Sequence, residues 1–211
     1  MDNFYLIDYH LHTTFSPDAE GASDEIVKQA IKRGIKEICF TDHWDQGGEE
    51  EKFKTYHYAA ERQMWQSLRA KYGHQINIKL GIEIGYVRER EREIKEFLAA
   101  HDFDFVIGSV HHLGKSLISD YNRDDYFQGK SEAEALRPYF AAEMELAKLA
   151  GYVSVLGHFD YIKKLGSKFF GRIDFLKYKK EILPIFEQAI KNNIGLELNT
   201  SGYVGHVHEP Y

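Results

Sequence analysis

Asp8-Tyr9-His10-Leu11-His12 sets two imidazoles two residues apart at the end of the first apolar run, and Asp18 follows in Ser-Pro-Asp. Side chains two apart on extended backbone point the same way, so His10 and His12 can address one cation. More donors follow along the chain: His43 after Thr41-Asp42, Glu83 inside GIEIG, His111-His112 after GSV, and His158 in GHFD. Neutral imidazoles suit zinc, iron or manganese, and added carboxylates make room for more than one ion. Glu83 is flanked by apolar residues, and an unpaired buried carboxylate is costly. A bridging place between two cations would offset that cost.

Something must aim these groups at one point. Six apolar runs of strand length are separated by helical patterns: residues 4–8, 37–40, 76–84, 103–110, 152–156 and 195–198. The predicted helices cover residues 24–33 (closed by Gly34), 58–71, 88–100, 132–150 and 175–191. Strands alternating with helices predict parallel pairing, and runs without polar alternation predict burial on both faces. Just beyond these runs stand six of the eleven histidines, with Asn199, Thr200 and Ser201 after the last. The carboxyl ends of parallel barrel strands converge on one face, where catalytic groups of such folds sit.

With 211 residues, 43% hydrophobic, and no linker-like or low-complexity stretch, the chain is expected to form one domain with a sizeable core. A net charge of −6 argues against long nucleic acid as partner. The single cysteine, Cys39, lies in the apolar run EICF and is expected to be a buried thiol, neither disulfide nor nucleophile. No signal segment or membrane-spanning run is visible, so a cytoplasmic location is expected.

DYHLHTTFSPDAEG, FTDHW, GIEIG, GSVHH, GHFDYI and LELNTSG, in this order, resemble the successive motifs of the polymerase-and-histidinol-phosphatase (PHP) superfamily, in its histidinol-phosphatase branch. The resemblance implies an α/β fold, a distorted (β/α)7 barrel, holding two or three divalent ions (Zn, Fe or Mn). It places His10 and His12 on the first ion, Glu83 between the first and second, His111 and His158 on the second, and Asp18 and His43 on the third. Asp8 and Asp42 are expected to orient imidazoles. One motif has no counterpart in residues 1–211: the Ser-Asp-Ala-His-like element of the seventh strand, which would supply an Asp and a His. A barrel short of its last strand is therefore expected, in a single PHP domain over residues 1–211 that is truncated or lacks that strand. His206 and His208 are candidate substitute ligands, and the open edges offer a route to an oligomer.

The implied chemistry is hydrolysis of a small phosphate ester, with L-histidinol phosphate as the expected substrate. A water activated by the metals attacks phosphorus in line. Asp160 or His112 is the candidate catalytic acid, each with the alternative of supporting a neighbour. Lys163, Lys164 and Asn199 are candidate substrate-binding residues, the lysines standing where members of this branch tend to carry arginine. Two competing readings remain at this point: a PHP-type phosphodiesterase or nuclease on nucleotides or short oligonucleotides, and a non-catalytic metal-binding domain.

Overall fold

The structure, a computed structural model, describes residues 5–47, 51–118, 125–200 and 203; His206 and His208 lie outside them. In chain order the elements are β1 (Ile7–Leu11), α1 (Ser23–Lys32), β2 (Glu37–Phe40), β3 (His43–Asp45), α2 (Tyr58–Tyr72) and β4 (Asn77–Gly85). There follow α3 (Glu91–Ala100), β5 (Phe105–Ser109), β6 (His112–Leu113), β7 (Ser116–Leu117) and α4 (Glu132–Leu146). The last are β8 (Val155–Leu156), α5 (Ile162–Phe170), α6 (Lys179–Lys191) and β9 (Gly195–Leu196).

All pairs in the main sheet are parallel, in the order β1-β2-β4-β5-β8-β9, with β3 continuing the line of β2 along β4. Among the described residues no strand joins β9 to β1. Yet the His10 ring on β1 meets the Glu197 carboxylate just past β9 at 2.6 Å, so the sheet curls until its two edges approach at the carboxyl end. The described residues thus form an open, curled parallel barrel of six strand positions, the α/β architecture expected of a PHP-type barrel.

The buried strands follow from composition. Ile38, Ile78, Ile82, Ile84 and Ile107 are fully enclosed, and β-branched side chains fit a sheet covered on both faces. Helices α3 to α6 cover the sheet through Ile94, Leu136, Tyr139, Phe140, Leu165 and Ile185. A smaller cluster of Val27, Ile38, Phe40, Leu68 and Ile78 seats α1 and α2. Helix α4 starts at a capping box between Ser131 and Glu134, which satisfies amide groups the helix leaves unpaired. Gly34, at φ 76°, ends α1 in the left-handed region open to glycine. No helix among the described residues is long and apolar enough to cross a membrane.

Several boundaries differ from the sequence expectation. Strand β1 begins and ends three residues later than the apolar run, so His10 lies inside it. Helix α5 and the short β3, β6 and β7 were not anticipated. For β1 and β3 the cause is that near the strand carboxyl ends the inward face is polar, and apolar patterning stops marking the strand.

Candidate metal centre

Register builds the centre. His43 on β3 pairs directly with Glu83 on β4, and Glu83 pairs with Ile107 on β5, two residues before Ser109. Glu83 is completely buried, and its two oxygens face different groups. Oε2 lies 3.1 Å from His10 Nε2, 3.1 Å from His12 Nε2 and 3.2 Å from His43 Nδ1. Oε1 lies 2.9 Å from His158 Nε2 and 3.3 Å from His111 Nε2, and accepts a hydrogen bond from Ser109 Oγ at 2.7 Å. Asp18 extends the cluster outward, 3.1 Å from His12 Nδ1 and 3.3 Å from His43 Nε2. Room for this comes from glycine: a Cβ at Gly85 would overlap the Asp45 carboxylate.

The donor set fits cations. At the centre, His12 Nε2, His43 Nδ1, Asp45 Oδ1 and Glu83 Oε2 are buried and make no hydrogen bond. Burying such atoms unpaired is expensive, and convergent lone pairs of imidazole and carboxylate are what a divalent ion satisfies. Four overlapping groups of three donors have ligand atoms within 4.8 Å of one another: His10–His12–Glu83, His12–Asp18–His43, His43–Asp45–His111 and Glu83–His111–His158.

Without an ion the charges compensate one another. Burial lowers the pKa of His10, but Glu83 and Glu197 outweigh it and raise it to about 10. Burial likewise opposes His111, which Asp45 and Glu83 raise to about 10. Burial would raise the Glu83 pKa, yet His10, His43 and His111 hold it well below the usual carboxylate range. His158 is the exception: burial prevails and its pKa is lowered.

The structure thus brings together His10, His12, Asp18, His43, Glu83, His111 and His158. It also brings in two carboxylates the sequence did not flag. Asp45 Oδ2 lies 2.9 Å from His111 Nδ1, and Asp45 Oδ1 lies 3.5 Å from His43 Nδ1. Glu197 reaches His10 Nδ1. These two carboxylates orient imidazoles, the role expected of Asp8 and Asp42. Asp42 instead accepts from the Thr13 amide and hydroxyl, pinning the loop after β1, and Asp8 accepts from the His10 amide at 3.3 Å. The available signal for Glu197 was a carboxylate alternating with leucines in GLEL, the pattern that singled out Glu83 in GIEIG.

The cluster floors a cleft of about 460 Å³, walled by Lys52, Phe53, Leu117, Tyr161, Lys164 and Asn199. That volume lies in the range of small-molecule sites, roughly 300–1,000 Å³. Lys164 donates to Tyr161 Oη at 2.9 Å, and Asn199 Nδ2 donates to Glu197 at 3.2 Å. Three predicted residues are not on the cleft wall. His112 lines another hollow with Tyr86 and Arg88, because neighbours on extended backbone face opposite ways and His111 takes the inward place. Asp160 accepts from Lys163 Nζ at 2.8 Å, and both line hollows near Phe175 instead of the cleft. On helix α5, adjacent lysines diverge by about 100°, so Lys164 alone turns to the cleft. Sequence reasoning missed Lys52, Phe53 and Tyr161, whose polar or loop surroundings carry no periodic signal.

Comparisons with known proteins agree with this architecture. The histidinol-phosphatase of Lactococcus lactis subsp. lactis (strain IL1403) is 32% identical over 196 residues, covering 92% of this chain and 71% of the relative. A probable histidinol-phosphatase of Deinococcus radiodurans is 28% identical over 212 residues, covering 98% of this chain and 77% of the relative. The crystal structure of the L. lactis histidinol phosphate phosphatase, complexed with zinc, L-histidinol and phosphate, superposes with a TM-score of 0.87 at 30% identity, over 95% of this chain and 75% of that one. A putative histidinol phosphatase of Listeria monocytogenes shares the fold, with a TM-score of 0.85 at 22% identity, over 97% of this chain and 86% of that one. Residues 8–201 match the PHP domain, and the chain belongs to that family.

Proposed function

We propose that this chain is a metal-dependent phosphatase that hydrolyses L-histidinol phosphate to L-histidinol and phosphate. The observation that carries the reading is the Glu83 carboxylate, with three imidazoles on one oxygen and two on the other. The L. lactis relative, similar over most of the chain, holds zinc, L-histidinol and phosphate.

His10, His12 and Glu83 would hold one ion, Glu83, His111 and His158 a second, and Asp18 with His43 a third, the ions being zinc, iron or manganese. Such ions supply acidified water and neutralise phosphate oxygens in a displacement at phosphorus. The protein's own part is positional. Glu83 holds both sides of the centre in one register, and Ser109 fixes its Oε1 by a hydrogen bond. Lys164 and Lys52 bring positive charge to the cleft wall, where each can meet a phosphate oxygen as a point charge. Phe53, Leu117 and Tyr161 offer apolar surface to the organic part of the ester, and Asn199 a polar edge. No serine or cysteine nucleophile is required; Cys39 is fully buried, and burial pushes its thiol pKa up.

We further read residues 1–211 as one domain acting in the cytoplasm on a small phosphorylated substrate, with its net charge of −6 set against long nucleic acid. The exposed Ile7 and Leu196, on the two edges left unpaired among the described residues, offer a route to an oligomer. Phosphate release from L-histidinol phosphate, beside other small phosphate esters, with added zinc or manganese and again with chelator, tests the reading. It predicts metal-dependent turnover with L-histidinol phosphate preferred; no turnover of any ester at any metal concentration would refute it.

A further inference from the structure

One carboxylate spans the open side of the barrel. Glu197 lies just past β9, its amide still pairing with the Leu156 carbonyl at 3.0 Å. Its Oε1 sits 2.6 Å from His10 Nδ1 on β1, and its Oε2 accepts from the His158 backbone N–H at 2.6 Å. His158 has φ 24°, a left-handed conformation that an L residue other than glycine keeps only when its surroundings hold it. The His10 ring therefore stands between two glutamates, with Nε2 toward Glu83 and Nδ1 toward Glu197. A neutral imidazole carries one proton; with that proton on Nδ1, the Nε2 lone pair is left for a cation.

We propose that Glu197 is a positioning residue that sets the ligands of two metal positions at once, the His10 tautomer for one and the His158 backbone for the other, while bridging the unpaired edges β1 and β9. The proposal rests on the metal-centre reading above. It also explains why a glutamate is needed. All three of its partners are donors: His10 Nδ1–H, the His158 amide and the Asn199 side-chain amide each require an acceptor. A glutamine has one acceptor and one donor group. The backbone amide cannot reverse its role, so the glutamine oxygen stays with His158 and its NH2 meets His10. The His10 proton then moves to Nε2 and blocks the ligand nitrogen.

The test is zinc titration of chelator-stripped wild type, Glu197→Gln and Glu197→Ala, with zinc content measured after dialysis. Disturbing a residue that orients a metal ligand costs about 10–100-fold in metal affinity. Glu197→Gln is expected to lose one ion per chain at limiting zinc, and Glu197→Ala to weaken the positions of both His10 and His158. Wild-type zinc content and affinity in both variants would overturn the proposal, as would a lower melting temperature of the metal-free variants with metal content unchanged. A wild type that takes up no zinc would overturn the metal reading itself, and this role with it. Should the variants fail to fold, 15N spectra of histidine-labelled, zinc-loaded wild type decide: protonated Nδ1 on His10 is expected, and protonated Nε2 would refute the role.

Discussion

Asp45 accepts from His111 Nδ1 at 2.9 Å, while Nε2 of the same ring lies 3.3 Å from Glu83 Oε1. The ring is thus held from behind, with its other nitrogen presented to the centre. The second Asp45 oxygen faces His43 Nδ1 at 3.5 Å, so Asp45 touches two imidazoles, one on its own short β3 and one just past β5. Asp45→Asn keeps the size but replaces an acceptor with a donor. Removing such an orienting carboxylate typically costs about 10–100-fold in metal affinity or activity. We expect a kcat/KM loss of that order, with a matching fall in zinc affinity. Wild-type zinc binding in Asp45→Asn would contradict the orienting role.

The two neighbouring lysines of α5 should behave differently. Lys164 lines the cleft, whereas Lys163 pairs with Asp160 away from it. A hydrogen bond to a charged group is worth about 1.5–3 kcal/mol, so Lys164→Ala should lower kcat/KM by about 10–100-fold. Lys163→Ala should leave kcat/KM near the wild-type value. Equal losses in the two variants would argue that α5 acts only as a structural element.

Zinc binding should release protons. In the metal-free chain burial opposes the His10 and His111 charges, yet the surrounding carboxylates raise both pKa values to about 10. Both rings are therefore protonated at pH 7.5 and must lose a proton to become ligands. Calorimetric titration in two buffers of different ionisation heat should show about two or more protons released per chain at saturation. No release would contradict the placement of these rings as ligands. Linkage has the corresponding sign: the stabilisation that the raised imidazoles give the metal-free fold is complete below pH 6.5 and is lost as pH rises through about 10.

Behind the centre, Glu143 on α4 is fully enclosed, and burial pushes its pKa up to about 8 against the opposing influence of the Tyr139 hydroxyl and the His111 charge. The unfolded chain releases this proton near pH 4.5, whereas the folded chain keeps it to about 8. Stability from this group therefore falls as pH rises across that window and levels off above it. Glu143→Gln removes the titration. Urea midpoints at pH 5.5 and 8.5 should show wild type losing ground to the variant as pH rises. Parallel profiles would show that Glu143 is not the group responsible.

Much of the centre was legible because parallel strands end in the residues they deliver. His43, Glu83, His111 and His158 each sit at or beside an apolar run, where periodicity and residue type agree. Asp45 was hidden because β3 is only three residues long and runs into a polar loop. Glu197 shares the alternating pattern that marks Glu83, but its partner His10 lies 187 residues away, a distance only the curl of the sheet closes. Helix α5 escaped notice because Gly166 interrupts a short pattern that follows a histidine motif. The split between Lys163 and Lys164, and between His111 and His112, depends on which face an element turns inward. Residue type alone does not carry that information.

The most direct test of the account is anomalous diffraction, at a metal absorption edge, from crystals of protein purified without chelator. Two or more peaks flanking the Glu83 carboxylate, at the roughly 2.0–2.2 Å expected for metal–oxygen bonds, are predicted. One should lie beside His10 and His12, and another beside His111 and His158. Crystals of zinc-supplemented protein with no peak at Glu83 would contradict the metal centre and the phosphatase chemistry built on it.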